Sequence, residues 1–404
     1  MPNISNPGHF ESESDSAELC RRTHGSEFLP RSLCLALGAV GAALLTLALY
    51  KGRVVPDQIA LGDIAMAVPC SFRGQRINAW RLSDYPDSYS VQAGEKLTDQ
   101  WLWLGNSQLH AINQPTADDR TAPAVASDLV GQAVFGMSLP NASLVEHLAI
   151  IEWALPRRRP SWLILGVCYD DLRNDEYRPG WTALAATQDG YIDRLRAVPA
   201  CSDLARQIVA EQGPSQIDLQ KTSVAGDKSL LGPRFLAESM QEKSERALGD
   251  LANACFPIWK HRDQMWARVL ADAYHFRNYV FGITPQSKRK MIPNRYDKNM
   301  DALREIVRKM SGSETRLLVY ICPLRFDIEP PYILSDYEEW KKVIKAEVEA
   351  GGSCFADLDR VVPANAWGTF GERLDFMHFQ GQGHRLLGAA VAEAVRRGCG
   401  ATPP

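Results

Sequence analysis

The stretch Trp101-Leu102-Trp103-Leu104-Gly105-Asn106-Ser107-Gln108-Leu109-His110-Ala111-Ile112-Asn113-Gln114 decides how the rest of the chain is read. Four apolar residues run into Gly105-Asn106-Ser107, and an apolar run that meets Gly has the pattern of a buried strand ending in a turn. A helix-like segment is expected to follow. A Ser at the end of such a strand puts its hydroxyl at the sheet edge, where α/β hydrolytic enzymes place their nucleophiles. Asn and Ser are equally ordinary turn and N-cap residues. These residues alone leave both readings open.

The far end of the chain bears on that choice. Leu374-Asp375-Phe376-Met377-His378-Phe379 precedes Gln380-Gly381-Gln382-Gly383-His384, and a helical run from Arg385 to Arg397 follows. An Asp and a His three positions apart can supply a base and its orienting carboxylate from one loop. The base takes the proton of a Ser hydroxyl, and the carboxylate fixes the imidazole tautomer and stabilises the imidazolium.

At this point the chain resembles the SGNH/GDSL hydrolase superfamily, over roughly residues 97 to 398. Gly105-Asn106-Ser107 matches that family's first block, and Asp375-x-x-His378 matches its last. The resemblance implies Ser107 as nucleophile, His378 as general base and Asp375 as the residue that orients it. The family's second block, Asn-x-Gly-x-x-Gly-Ala-Ser, lines up with Val134 to Leu144 and puts Asn141 at the Gly whose N–H serves the oxyanion. Asn keeps that donor and tolerates left-handed backbone. The third block, Gly-x-Asn-Asp, falls on Gly166-Val167-Cys168-Tyr169-Asp170-Asp171-Leu172. With an insertion in the block Asp170 replaces the oxyanion Asn; with none, Cys168 does. The match of Tyr169-Asp170-Asp171-Leu172 to x-Asn-Asp-Leu favours Asp170. Neither is a good donor, and a missing donor costs about a hundred- to a thousand-fold in rate.

Five two-sidedly apolar runs fit parallel strands: Trp101 to Leu104, Ala133 to Met137, Trp162 to Val167, Arg316 to Ile321 and Ser353 to Leu358. Leu144 to Leu155, Asn299 to Met310 and Tyr337 to Ala350 fit helices between them. The alternation implies an α/β fold, a three-layer α/β/α sandwich with a central parallel sheet, flavodoxin-like as in SGNH proteins. Ligands then bind at the carboxyl ends of the strands. Residues 173 to 295 form a helical insertion. Its Trp259, Trp266, His275 and Phe276 line a substrate groove or pack the insertion onto the sandwich, and Lys288-Arg289-Lys290 reads as a solvated charged turn.

Ahead of this catalytic region, 97 to 400, residues 1 to 32 are polar and acidic and read as a disordered cytoplasmic tail. Leu33 to Tyr50 is uncharged and near the length a helix needs to span a bilayer. A cleavable signal peptide would be followed by a small-residue site, whereas Tyr50-Lys51-Gly52-Arg53 follows. A single-pass transmembrane helix is expected, with the large domain extracytoplasmic and residues 51 to 96 as linker. Charged residues make up 23% and the net charge is −3, so no basic excess points to nucleic acid. Seven of the nine cysteines (Cys70, Cys168, Cys201, Cys255, Cys322, Cys354 and Cys399) follow the apolar run, and their spacing fixes no pairing. No His/Cys/Asp/Glu cluster has metal-ligand spacing and no Gly-rich phosphate loop occurs, so neither metal nor cofactor is expected. His110 is read as structural or surface, sharing a helix face with Ser107, and His384 as packing or capping at the last helix.

The anchor and insertion resemble single-span SGNH proteins of cell-envelope modification, which work beside a membrane-bound O-acyltransferase. The expected function is a serine acyl-ester hydrolase or O-acyltransferase acting on an acylated, exported glycan. The alternative is a degenerate SGNH fold retained as a binding or assembly subunit.

Overall fold

The computed structural model describes residues 65–89, 100–212, 287–370 and 373–398. The expected tail, the apolar run Leu33 to Tyr50 and the aromatic part of the insertion lie outside the described residues. Among the described residues no helix is long and apolar enough to cross a membrane.

Four short strands open the described chain: β1 (Ala65–Ala67), β2 (Ser71–Phe72), β3 (Gln75–Arg76) and β4 (Asn78–Ala79). Then follow β5 (Trp101–Gly105), β6 (Ala111–Asn113), α1 (Ala122–Val130), β7 (Val134–Ser138), α2 (Leu144–Ala154) and β8 (Trp162–Val167). Three short helices, α3 (Trp181–Ala185), α4 (Tyr191–Ala197) and α5 (Ser202–Gln212), lead away from the sheet. The chain is described again from α6 (Pro293–Met310), through β9 (Arg316–Ile321), α7 (Leu334–Ala350) and β10 (Cys354–Asp357), to the ribbon β11 (Trp367–Phe370) and β12 (Arg373–Phe379), and ends on α8 (Gly381–Arg397).

The central sheet has six strands in the order β10-β9-β8-β5-β7-β4, all parallel. It is a mixed α/β fold with helices on both faces. The five apolar runs seen in the sequence are its inner strands and one edge, because a strand covered on both sides has no polar face to show. Along β5 the faces alternate: Leu102 and Leu104 enter one apolar layer with α2, α6 and α7, whereas Trp101 and Trp103 enter the other with α1 and α8. The second layer is closely packed: a Cβ at Gly388 of α8 would meet the Ala122 carbonyl of α1 at 2.7 Å.

The sixth strand, β4, comes from residues read in the sequence as linker. That segment is tied in by burial and by hydrogen bonds. Ile77, Ala79, Leu82 and Tyr85 are buried. Asn78 accepts from Cys70 N at 2.9 Å and donates to the Val68 carbonyl at 2.7 Å. The Tyr85 hydroxyl donates to the Ser138 carbonyl at the end of β7 at 3.0 Å.

Two further elements differ from expectation. The segment after Ser107 is not a helix: a 3₁₀ turn, Ser107–Leu109, leads straight into β6, which pairs antiparallel with β1. Asp375 and His378 sit not in a plain loop but in β12. Its pairing with β11 jumps from Thr369↔Leu374 to Trp367↔Phe379, so Asp375 to His378 bulge out of the ribbon. Bulges of this kind re-aim side chains.

Candidate active site

The turn after β5 is built by Asn106. Its Oδ1 accepts from Gln108 N at 3.0 Å, which caps the 3₁₀ turn. Leu109 N and His110 N close the turn onto the carbonyls of Asn106 and Ser107, so the Ser107 N–H is not consumed by it. Ser107 is 6% exposed. The Asn106 Nδ2 reaches across to Cys168 Sγ at 2.9 Å and Asp171 Oδ1 at 3.4 Å.

The bulge of β12 brings the two distant candidates to this turn. His378 Nε2 lies 3.0 Å from Ser107 Oγ, and His378 Nδ1 lies 3.1 Å from Asp375 Oδ2. With Asp375 ionised, Nδ1 carries the proton and Nε2 accepts from the Ser hydroxyl. Asp375 Oδ1 accepts from the N–H of Met377 at 2.8 Å and of His378 at 3.1 Å. Burial pushes the Asp375 carboxyl up, but the hydrogen bond and charge of His378 and those two backbone donors outweigh it, and the group is held below the ordinary carboxylate range.

Two residues that the sequence reading passed over hold Asp375 in place, one by its carboxylate and one by its backbone carbonyl. Asn113, fully buried in β6, donates to Asp375 Oδ2 at 2.9 Å and to the Thr369 carbonyl at 2.9 Å. Arg325 donates from one Nη to the carbonyls of Asp375 at 2.9 Å and Gly368 at 2.8 Å. Its Nε and other Nη are paired with Asp327 at 2.8 and 2.9 Å. Asn113 lay at the end of the deciding stretch, where its position past the Ser was a usable signal. Nothing in the spacing marks Arg325.

The second block forms a turn beside Ser107. Leu139 N bonds the Gly105 carbonyl at 3.0 Å, and Ala142 N bonds the Leu139 carbonyl at 3.1 Å. Pro140 and Asn141 are its central residues, and Asn141 has φ +53°. Pro followed by a positive φ is the signature of a type II turn. In such a turn the amide between the central residues points outward, so the Asn141 N–H is left for another acceptor.

The third block differs from the sequence alignment. Asp170 does not touch Ser107 or His378. Its carboxylate takes Arg173 at 2.7 Å, the Tyr332 hydroxyl at 3.0 Å and Arg289. Two guanidinium groups fully neutralise it there. Arg289, expected in a solvated turn, stands over the Phe376 ring at 5.2 Å. Leu104 faces Leu165 at the end of the paired strands, and just beyond them it is Cys168, not Asp170, that the turn touches, through the Asn106 amide. Asp170→Ala is expected to leave the buried Tyr332 hydroxyl unpaired and to cost about 1–3 kcal/mol of stability. Modification of Ser107 by a fluorophosphonate should change only a few-fold. A hundred-fold loss of labelling with an unchanged denaturation midpoint would place Asp170 in the chemistry after all.

Asp171 is the buried partner of this block, accepting from Cys168 N at 2.7 Å. Burial raises its carboxyl to about 8, against the lowering effect of the Cys168 N–H and Asn106. Between about pH 4 and 8 the folded chain keeps a proton that the unfolded chain has released, so this group's stabilisation falls as pH rises and is gone above about 8. Asp171→Asn should flatten that slope in thermal melts run from pH 5 to 8. An unchanged slope would show that Asp171 is ionised in the folded chain.

Two of the other described histidines, His384 and His110, are structural. His384 accepts from Ala122 N at 3.1 Å through Nδ1 and donates to the Ala111 carbonyl at 3.1 Å through Nε2, so it caps α1 rather than α8. Burial pushes it down to about 4. His110 closes the 3₁₀ turn, places Nδ1 2.8 Å from Ser138 Oγ and stacks on Trp80; burial pushes it down to about 3. Among the described residues no group of three or more His, Cys, Asp or Glu side chains is placed to hold a metal ion.

The chain matches no protein-family profile and no curated protein. Among solved structures it is similar to one from Agrobacterium tumefaciens str. C58 named "putative arylesterase". The identity is 11% and the TM-score 0.31, over 74% of this chain and 99% of that one. A likeness of that size carries no weight for this chain's activity.

Proposed function

We propose that this chain is a serine acyl-ester enzyme of the SGNH type, cleaving esters or transferring their acyl group. The observation that carries the reading is the unbroken run Ser107 Oγ–His378 Nε2 at 3.0 Å and His378 Nδ1–Asp375 Oδ2 at 3.1 Å. His378 takes the Ser107 proton as Oγ attacks the ester carbonyl. The N–H groups of Ser107 and Asn141 donate to the oxyanion. His378 then returns the proton to the departing alkoxide, leaving an acyl-Ser107. In the second half His378 deprotonates water or an acceptor hydroxyl, which takes the acyl group and frees Ser107.

The substrate side of the proposal is an acyl ester, such as acetyl, on an exported or envelope glycan, with a membrane-bound O-acyltransferase as partner. Leu33 to Tyr50 is its single-pass anchor, and the catalytic region is extracytoplasmic. Cys354 is disulfide-bonded, which favours an oxidising compartment. The rival reading, a binding or assembly subunit, draws support from Cys168 standing where the family has an oxyanion donor.

A fluorophosphonate separates the two. The purified chain should be labelled on Ser107 in one-to-one stoichiometry. Intact protein that takes up no label under conditions where known serine esterases do would leave the binding-subunit reading standing.

A further inference from the structure

Behind the Ser107 turn lies a pair of cysteines that the proposed mechanism does not use. β8 and β9 run parallel with Val167 opposite Ile321, and Cys322 N continues the ladder by bonding the Val167 carbonyl at 3.0 Å. Cys168 and Cys322 are therefore neighbours just past the carboxyl ends of adjacent strands. Strands so paired hold facing Cα atoms about 4.8 Å apart, inside the roughly 4.4–6.8 Å that a disulfide requires. Both side chains enter the same apolar layer. Neither is bonded to another cysteine.

The pair is linked in both directions. Toward the core, Trp103 Nε1 donates to the Tyr320 hydroxyl at 3.1 Å, and that hydroxyl and Cys322 Sγ both lie against Gly166. Gly166 leaves room for this: a Cβ there would come within 2.5 Å of the Tyr320 hydroxyl and 3.1 Å of Cys322 Sγ. Toward the site, Cys168 Sγ receives the Asn106 amide, whose other end caps the turn that carries Ser107.

We infer that Cys168 and Cys322 form a reversible disulfide that loosens the Asn106 turn and thereby slows Ser107. This deepens the serine-enzyme reading and rests on it for the effect on Ser107. The oxidant is a small peroxide. One thiolate attacks hydrogen peroxide, giving a sulfenic acid and hydroxide. The second thiol's sulfur then displaces the sulfenic oxygen, and water leaves. Two thiols and one peroxide become one disulfide and two waters. A dithiol reductant reverses the change.

The structural consequence follows from the sulfur positions. They must close to about 2.0 Å, which draws Cys168 Sγ from the Asn106 amide toward β9. The hydrogen bond to Cys322, and then burial, pushes the Cys168 thiol up, and burial pushes up that of Cys322. Oxidation is accordingly slow, since the thiolate is the reactive form.

The test uses the intact chain, treated with hydrogen peroxide and then with dithiothreitol. Non-reducing digestion should yield a Cys168–Cys322 linked peptide, absent from Cys322→Ser. Amide exchange in the segment from Asn106 to His110 should speed up on oxidation and recover on reduction. Fluorophosphonate labelling should slow by roughly tenfold or more, since a displacement of about 1 Å can cost a hundred-fold. Cys322→Ser should label at one rate in both states. Failure of the linked peptide to form overturns the inference, as does a linked peptide with unchanged amide exchange in the turn. Reduced protein that never labels is a different result: it condemns the serine reading, while peptide mapping and exchange still decide the disulfide.

Discussion

Replacing Ser107 with Ala is expected to lower hydrolysis of a chromogenic acetyl ester by roughly 10⁴- to 10⁶-fold, the range set by removing a nucleophile from such a triad. Fluorophosphonate labelling should disappear with it. The fold should survive: the lost hydroxyl makes one hydrogen bond to a histidine that is part-exposed, and such a bond contributes about 1 kcal/mol. A melting temperature within a few degrees of the native chain's would show this. Labelling that persists in the Ser107→Ala chain would mean that another side chain is the nucleophile.

The second large effect is a gain. Cys168 Sγ accepts from the amide of Asn106, the residue before Ser107, and on the serine-enzyme reading it offers a thiol where an amide donor would serve an oxyanion. Cys168→Asn supplies that donor. The introduced amide oxygen can accept from Asn106, as the sulfur does now, and leave its NH₂ group for the substrate. Hydrolysis of the same ester should rise toward the roughly hundred-fold that one oxyanion donor is worth. Asp170→Asn, whose carboxylate is held by Arg173, Tyr332 and Arg289 rather than facing Ser107, should give no such rise. If the Cys168 variant folds and shows no gain, Ser107 and Asn141 already saturate the oxyanion, or the chain is not a hydrolase.

The strands were readable because burial on both faces leaves an uninterrupted apolar run, as in Trp162 to Val167. The start of α6 was not, since Asn294, Arg295, Asp297 and Lys298 put no apolar stripe on its first turns. β4 escaped because two residues carry no period. Gly105-Asn106-Ser107 and Asp375-x-x-His378 were legible as local patterns, and the structure places their side chains in contact. The third block was ambiguous for a physical reason. Sequence spacing leaves Cys168 and Asp170 both open, and only the folded contacts part them: Asn106 reaches Cys168, whereas Asp170 is held by Arg173, Tyr332 and Arg289. Asn113 acts on the carboxylate and Arg325 on the backbone carbonyl of Asp375 far along the chain, and no local pattern encodes such a partnership.

The bulge in β12 has a consequence for the growing chain. Ser107 and His378 are 271 residues apart in sequence, and the base and carboxylate arrive together on the last ribbon before α8. From the synthesis of Ser107 until that ribbon is made, its hydroxyl therefore has no His378 imidazole beside it. On the serine-enzyme reading the chain becomes reactive in a single late event, when the ribbon docks against β6. A ribosome that stalls before that point releases a polypeptide unable to attack the esters around it.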